Sequence, residues 1–409
     1  MRFVLTTFLL HFISGGLCAD SPPNVILILS SEVPRQAIGG YGTATQTPNI
    51  DRLRKQGIRY QIAWSMPTFV LSQRTLLSGR YAPAGNSTTD TPTSIPGKPK
   101  KSQSSKPTIA TLLRESGYLT LAAGKWAADG VTPLQTSLIA NGFEKHCVVE
   151  NDHQSHAENQ RILVNGEIRS VTNASDAINT FLVDFLSKPT NQPFFLYYPI
   201  LSLHAETMKE GRPQPSASQL NRARHVDRTL GKLIHSLEQS GRTKNTLLIF
   251  TSIQGAPAKV KPPSPKGTKE TILATDSAVR VPFIVQAPFL NQGGRETHDL
   301  VDFTDLAPTI LEVTLTAKPQ TLKLDGRSFV PSLKGVEDPF EKRNWIYATF
   351  GNVRMIRDWQ HFLDSDNNFH DLTKDPFQKE PVSPLDKQAP GRKQRLELLL
   401  ERLGRELNR

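Results

Sequence analysis

Residues 24–29 read NVILIL, six positions of which five are aliphatic and none alternates with a polar residue. An unbroken β-branched run of this length is the signature of a strand covered on both faces, the situation of a parallel sheet with helices above and below. Three more runs repeat it: Pro193–Tyr198 (PFFLYY), Asn245–Thr251 (NTLLIFT) and Val281–Gln286 (VPFIVQ). Between them lie stretches with helical spacing of apolar residues, over Asn49–Gln56, Thr108–Ser116, Ala174–Ser187 and Ala217–Ser240. Strands alternating with amphipathic helices predict an α/β fold with a large, mainly parallel sheet flanked by helices.

The pattern changes near Lys318. Short strand-like pieces follow at Trp345–Phe350, Asn352–Ile356 and Gln360–Leu363, which suit a small antiparallel sheet. The tail QRLELLLERLGRELNR sets Leu396, Leu399, Leu400, Leu403 and Leu407 on one stripe, a docking helix. The expected organisation is an α/β unit over 21–317 and a small C-terminal α+β domain over 318–409. Residues 87–107 are polar and of low complexity, and read as a loop.

The first nineteen residues combine Arg2, an apolar run from Phe3 to Ile13 and small residues up to Ala19. That is the pattern of a cleavable export signal, with an apolar run short for a membrane span, so a periplasmic, extracellular or secretory-lumen protein is expected. No other segment is apolar enough to span a bilayer. Removal of the signal leaves one cysteine, Cys147, so no intramolecular disulfide supports the fold. The formal charge of +11 favours acidic partners such as sulfated glycans. Nucleic acid is not expected, because no aromatic–basic stacking pattern accompanies the charge and the chain carries an export signal. The sequence leaves the oligomeric state open.

Residues 67–81, PTFVLSQRTLLSGRY, frame a helix start. Unpaired N–H groups and the positive dipole end make such a position suited to an anion or an activated nucleophile. Its first turn carries Phe69, Val70 and Leu71 instead.

Together with PNVILILSSE (23–32), GGYGTATQTPNIDRLRKQGIRY (39–60), ESGYLTLAAGKW (115–126), QPFFLYYPILSLH (192–204), NTLLIFTSIQG (245–255), VRVPFIVQAP (279–288), LVDFTDLAPTILE (300–312) and DGRSFVPSLKG (325–335), this stretch resembles the sulfatase family of the alkaline-phosphatase-like superfamily. The resemblance implies a hydrolase of sulfate esters that uses a formylglycine, made from cysteine or serine, beside a bound calcium. Such chemistry needs hard oxygen ligands, a hydroxyl nucleophile and cations to hold the sulfate.

Position by position, this chain departs from that frame. Where the family carries paired aspartates after its first strand stand Ser31 and Glu32; where it carries Asp-Asn stand Ile253 and Gln254. Glu32 and Gln254 are the remnants of the metal set, and tight calcium binding is not expected from them, because the ion takes about 6–8 oxygens. Aligned without a gap on LLSGR, the family's Cys-x-Pro/Ala-Ser-Arg becomes Phe69, Val70, Leu71, Ser72 and Gln73; a shift of one recovers Arg74 and puts Val70 at the nucleophile. Neither register supplies a residue that can become formylglycine. Lys125 and His204 remain as the catalytic cations, with Arg74 and Lys269 as candidate substrate contacts. The expected protein is a catalytically impaired sulfatase relative that binds a sulfated or other anionic glycan. The alternative is an active sulfate or phosphate ester hydrolase with a rearranged site, built on Lys125, His204, Arg74 and a hydroxyl from Thr68 or Ser72.

Overall fold

The computed structural model describes residues 21–31, 33–42, 46–81, 107–127, 132–150, 160–201, 215–255, 259–260, 271–272, 274–291, 293–337, 340, 342–383 and 389–407. The first part of the chain runs β1 (Asn24–Ser30), α1 (Pro48–Gln56), β2 (Ile58–Trp64), α2 (Phe69–Ser78), α3 (Ile109–Glu115) and β3 (Leu119–Gly124). It continues through α4 (Leu134–Ala140), β4 (Lys145–Val149), β5 (Gln160–Val164), β6 (Glu167–Val171), α5 (Ala174–Ser187), β7 (Phe194–Pro199) and α6 (Ala217–Gln239). Then come β8 (Thr246–Ser252), the short pair β9 (Lys259–Val260) and β10 (Thr271–Ile272), α7 (Asp276–Val279), β11 (Phe283–Gln286) and β12 (Arg295–Asp302). The last part holds α8 (Leu306–Val313), α9 (Val330–Lys334), strands β13 (Ile346–Phe350), β14 (Val353–Arg357), β15 (His361–Asp364) and β16 (Phe369–Asp371), and α10 (Ala389–Leu407).

Ten strands form one sheet in the order β12-β2-β11-β8-β1-β7-β3-β4-β5-β6. β1 pairs in parallel with β7 and β8, as the NVILIL run predicts, and each of its seven residues is buried. The sheet is mixed: β11 runs antiparallel to β8 and β2, and β5 antiparallel to β4 and β6. A separate antiparallel sheet, β13-β14-β15-β16, packs against α10 through Leu396, Leu400 and Leu403, which are buried. The apolar cluster beneath it also takes Ile62, Trp64, Met66, Leu71, Tyr81 and Val279 from β2, α2, α7 and the segments flanking α2.

Two local devices bring the site elements to one edge. The carboxylate of Asp227, on α6, accepts from the backbone N–H of Ile50 at 2.9 Å and from Asn49 Nδ2 at 2.8 Å. It therefore caps α1 from a distance, at the positive end of the helix dipole. At the end of β3, Gly124 has φ +87°, and a Cβ there would meet the carbonyl oxygen of Pro199 at 1.9 Å. Glycine is required at this close approach, which sets Lys125 beside the end of β7 through its N–H to Pro199 O at 3.0 Å. β1, β2, β3, β7 and β8 all point the same way, so their carboxyl ends converge where α/β sheets bind ligands.

Candidate functional site

Helix α2 begins at this edge. Thr68 is its N-cap, with Oγ1 accepting from Leu71 N at 3.4 Å. Ser72 is fully buried; its hydroxyl accepts from Met66 N at 3.1 Å and donates to Met66 O at 3.0 Å, stapling the helix to the end of β2. Both hydroxyls that could substitute for a nucleophile thus hold the helix entry in place, and Ser72 spends its one proton doing so.

Phe69, the first residue of α2, is only 8% exposed, and the ammonium of Lys125 lies 4.9 Å from the centre of its ring. Lys125 therefore meets an aromatic face at the first residue of α2, a cation–π contact. One turn on, Gln73 is buried, and its amide is filled by neutral groups. Oε1 accepts from Ala127 N at 3.1 Å and from the Tyr197 hydroxyl at 3.2 Å, and Nε2 donates to Ala127 O at 3.4 Å. Burial pushes the Tyr197 phenol well above its ordinary range, so it stays a neutral donor. Trp126 closes the same corner, edge-on to Phe143 and Tyr197 at 5.4 and 5.9 Å, with its indole N–H on Ser137 at 3.1 Å. Arg74 is exposed, about 100° around the helix from Gln73, and is not gathered with this group.

On the central strands, Ser30 and Ser252 share a hydrogen bond of 2.6 Å across β1 and β8. Ser31 is buried, and its hydroxyl meets no partner among the described residues. Ile253 is 1% exposed and belongs to the same apolar cluster as Phe69, Trp126 and Tyr197. Gln254 is half-buried. One hydroxyl, one amide and a buried alkyl chain do not fit a hard divalent cation, which needs several oxygens with carboxylate charge among them. No group of three or more His, Cys, Asp or Glu able to hold a metal occurs among the described residues. Glu32, His204 and Lys269 lie outside the described residues.

Asp276 is a buried anchor between the two sheets. It accepts from Trp64 Nε1 at 2.8 Å, Arg357 Nη1 at 2.6 Å and Arg280 Nη1 at 3.3 Å. Burial opposes its charge, but the two guanidinium groups and the indole prevail and hold its carboxyl down to about 2. Cys147 is buried on β4, and burial pushes its thiol up to about 12, so it is no nucleophile. Gln73 is the site residue that sequence reasoning passed over: it was placed in register but given no role. The available signal was a polar residue on the buried stripe of an otherwise apolar helix.

A family model described as Sulfatase matches residues 23–316. The chain belongs to the sulfatase family. It is 28% identical over 361 residues to the N-acetylgalactosamine-6-sulfatase of Canis lupus familiaris, which covers 78% of this chain and 68% of that protein, so the chain spans about two thirds of such relatives. In fold it matches the crystal structure of Ps i-CgsB in complex with k-i-k-neocarrahexaose, with a TM-score of 0.73, 24% identity and coverage of 94% and 92% of the two chains. A similar likeness, at TM-score 0.72 and 18% identity over 94% and 98%, joins it to a protein crystallised with its substrate D-glucosamine-2-N,6-O-disulfate.

Proposed function

We propose that this sulfatase-family protein is an exported, catalytically silent member that binds a sulfated or otherwise anionic glycan rather than hydrolysing it. One observation carries the reading: the Lys125 ammonium rests on the Phe69 ring, where the family's chemistry needs a nucleophile, next to a Gln73 amide bonded to neutral partners. A sulfate-ester hydrolase needs an activated oxygen and a cation to activate it. Here the two nearby hydroxyls are engaged in holding α2, and the donor set around Ile253 is unsuited to calcium. The ligand class is supported by the sulfated sugar of the relative crystallised with its disulfated substrate and by the charge of +11. Export is supported by the leader pattern of residues 1–19. Among the described residues no helix is long and apolar enough to cross a membrane.

The test uses the full-length protein without its leader. Metal analysis after purification is expected to find no stoichiometric divalent ion, and an aryl sulfate is expected to show no turnover above a heat-killed control. A sulfated oligosaccharide is expected to bind in a saturable manner while its desulfated counterpart does not. Turnover abolished by Lys125→Ala would establish the rearranged hydrolase instead.

A further inference from the structure

A second cationic feature lies on the same sheet, toward its other edge, separated from β8 by strand β11. Arg35, which follows β1, donates from Nη2 to the carbonyl oxygen of Gln61 at 3.5 Å and to the Gln61 side-chain oxygen. Arg280, which precedes β11, donates to that same carbonyl from Nη2 at 2.8 Å and from Nε at 3.2 Å. Two guanidinium groups from distant parts of the chain thus converge on one neutral acceptor. Arg59, on β2, stands beside them: Arg35 and Arg59 lie 4.6 and 5.5 Å from the centre of the Tyr41 ring.

The local charge does not balance. Arg59 is paired with Glu296, and Arg280 and Arg357 share Asp276. Arg35 has no carboxylate partner among the described residues, and its buried Nε meets no acceptor there. Four guanidinium groups therefore stand against three carboxylates, Glu296, Asp276 and, beside Arg357, Asp358. Tyr41 adds only its ring quadrupole, because its hydroxyl is locked between Phe283 O at 2.7 Å and Phe283 N at 2.9 Å, and burial keeps the phenol protonated. Burial and the neighbouring Arg280 hold the Arg35 guanidinium down to about 10, the direction expected of a cation kept among like charges without a counter-ion. Placing an unpaired cation where it is half removed from water is costly unless an anion completes it.

We infer that Arg35 and Arg280 form an oxyanion-binding notch that takes a sulfate or phosphate group, free or as an ester, at a position distinct from the Phe69–Lys125 corner. Each Nη carries a second N–H beyond its bond to Gln61 or Asp276, and planar guanidinium groups suit a tetrahedral oxyanion through charge-assisted hydrogen bonds. Arg280 is held in orientation by Asp276, and Arg35 by its stacking on Tyr41, so both donors are set before the ligand arrives. The inference stands whether or not the family's hydrolytic chemistry survives.

The experiment measures inorganic sulfate, inorganic phosphate and a sulfated hexasaccharide by calorimetry against the full-length protein, with chloride balancing ionic strength. Saturable binding of an oxyanion is expected for the wild type. Arg35→Met, which keeps an apolar stem over Tyr41, is expected to weaken it about tenfold or more, and to leave the anion-free protein as stable as the wild type or more so. Arg35→Lys keeps the charge but not the fork and is expected to weaken binding several-fold, which provides a reading if the methionine variant folds poorly. Tighter binding of the hexasaccharide than of the free ions assigns an ester as the ligand; equal binding assigns the free ion. Sulfate binding that Lys125→Ala abolishes while both Arg35 variants retain it would belong to the ancestral cleft and would overturn the inference. No saturable oxyanion binding to the wild type, or binding undiminished in both Arg35 variants, overturns the inference.

Discussion

Replacing Gln73 with leucine keeps much of the side-chain volume and removes both ends of the amide. The Tyr197 hydroxyl, fully buried, would lose its acceptor outright, a cost of about 1–3 kcal/mol for an orphaned buried donor. Ala127 is only half-buried, so its N–H and carbonyl can turn to water, and each is worth about 0.5–1.5 kcal/mol at most. The expected loss is about 2–4 kcal/mol, reduced by whatever the added apolar contact returns. Restoring the family's arginine at this position is expected to be worse, because a guanidinium would enter a pocket whose described partners are neutral; breaking charge balance in this way costs about 3–5 kcal/mol. Urea unfolding at neutral pH, followed by tryptophan fluorescence with the slope held constant, measures both. If Gln73→Arg proved as stable as the wild type, the corner would contain a counter-charge, and the description of Gln73 as a neutral plug would be wrong.

Asp276→Asn is expected to destabilise the fold by about 3–5 kcal/mol, since it leaves Arg357 buried without its partner. The carboxyl of Asp276 is lower in the folded state than in the unfolded chain. Its contribution, on the order of 2 kcal/mol, is therefore full above the ordinary carboxylate range and fades as pH falls toward about 2. Acid titration of the wild type against the variant should show this difference closing below pH about 4. Phe69→Ala should cost about 3–5 kcal/mol by opening a cavity. Phe69→Cys, even if converted, should gain no sulfate-ester turnover, because the surrounding donors remain unsuited to calcium; turnover that depends on added calcium would contradict this. Cys147 should resist iodoacetamide at pH 8 in the folded protein and react after unfolding, as mass spectrometry can follow.

The long apolar strands announced themselves because a strand covered on both faces has no polar alternation to hide it. NVILIL, PFFLYY and NTLLIFT each became a central strand, and the amphipathic helices over Ala174–Ser187 and Ala217–Ser240 formed nearly to the residue. The tail helix docks through Leu396, Leu400 and Leu403 of the predicted stripe. Strands β2 and β12 were not singled out, and their mixed sequences, IRYQIAW and RETHDLVD, explain why: β12 is the edge strand with alternate residues exposed, and in β2 Arg59 and Gln61 interrupt the apolar run. β11 was read as a strand, but a sequence run carries no sign of direction, and its antiparallel pairing with β8 and β2 is visible only in the fold. At the site, the replacement of the nucleophile was visible in the sequence because a frame of fixed motifs surrounds it. Who would fill the gap was not. That Lys125 lies on Phe69, and that Gln73 bonds to Tyr197 more than a hundred residues away, are products of how β3, β7 and α2 meet.

The apolar cluster shared between the C-terminal sheet and Trp64, Met66 and Leu71 has a bearing on how this chain could have evolved. A module with its own sealed interior can be cut away, duplicated or swapped between genes. Here the last ninety or so residues supply one wall of a chamber whose opposite wall runs straight into the helix bearing Phe69. A change of volume in the tail is therefore felt at Leu71, two residues from Phe69 on the same helix.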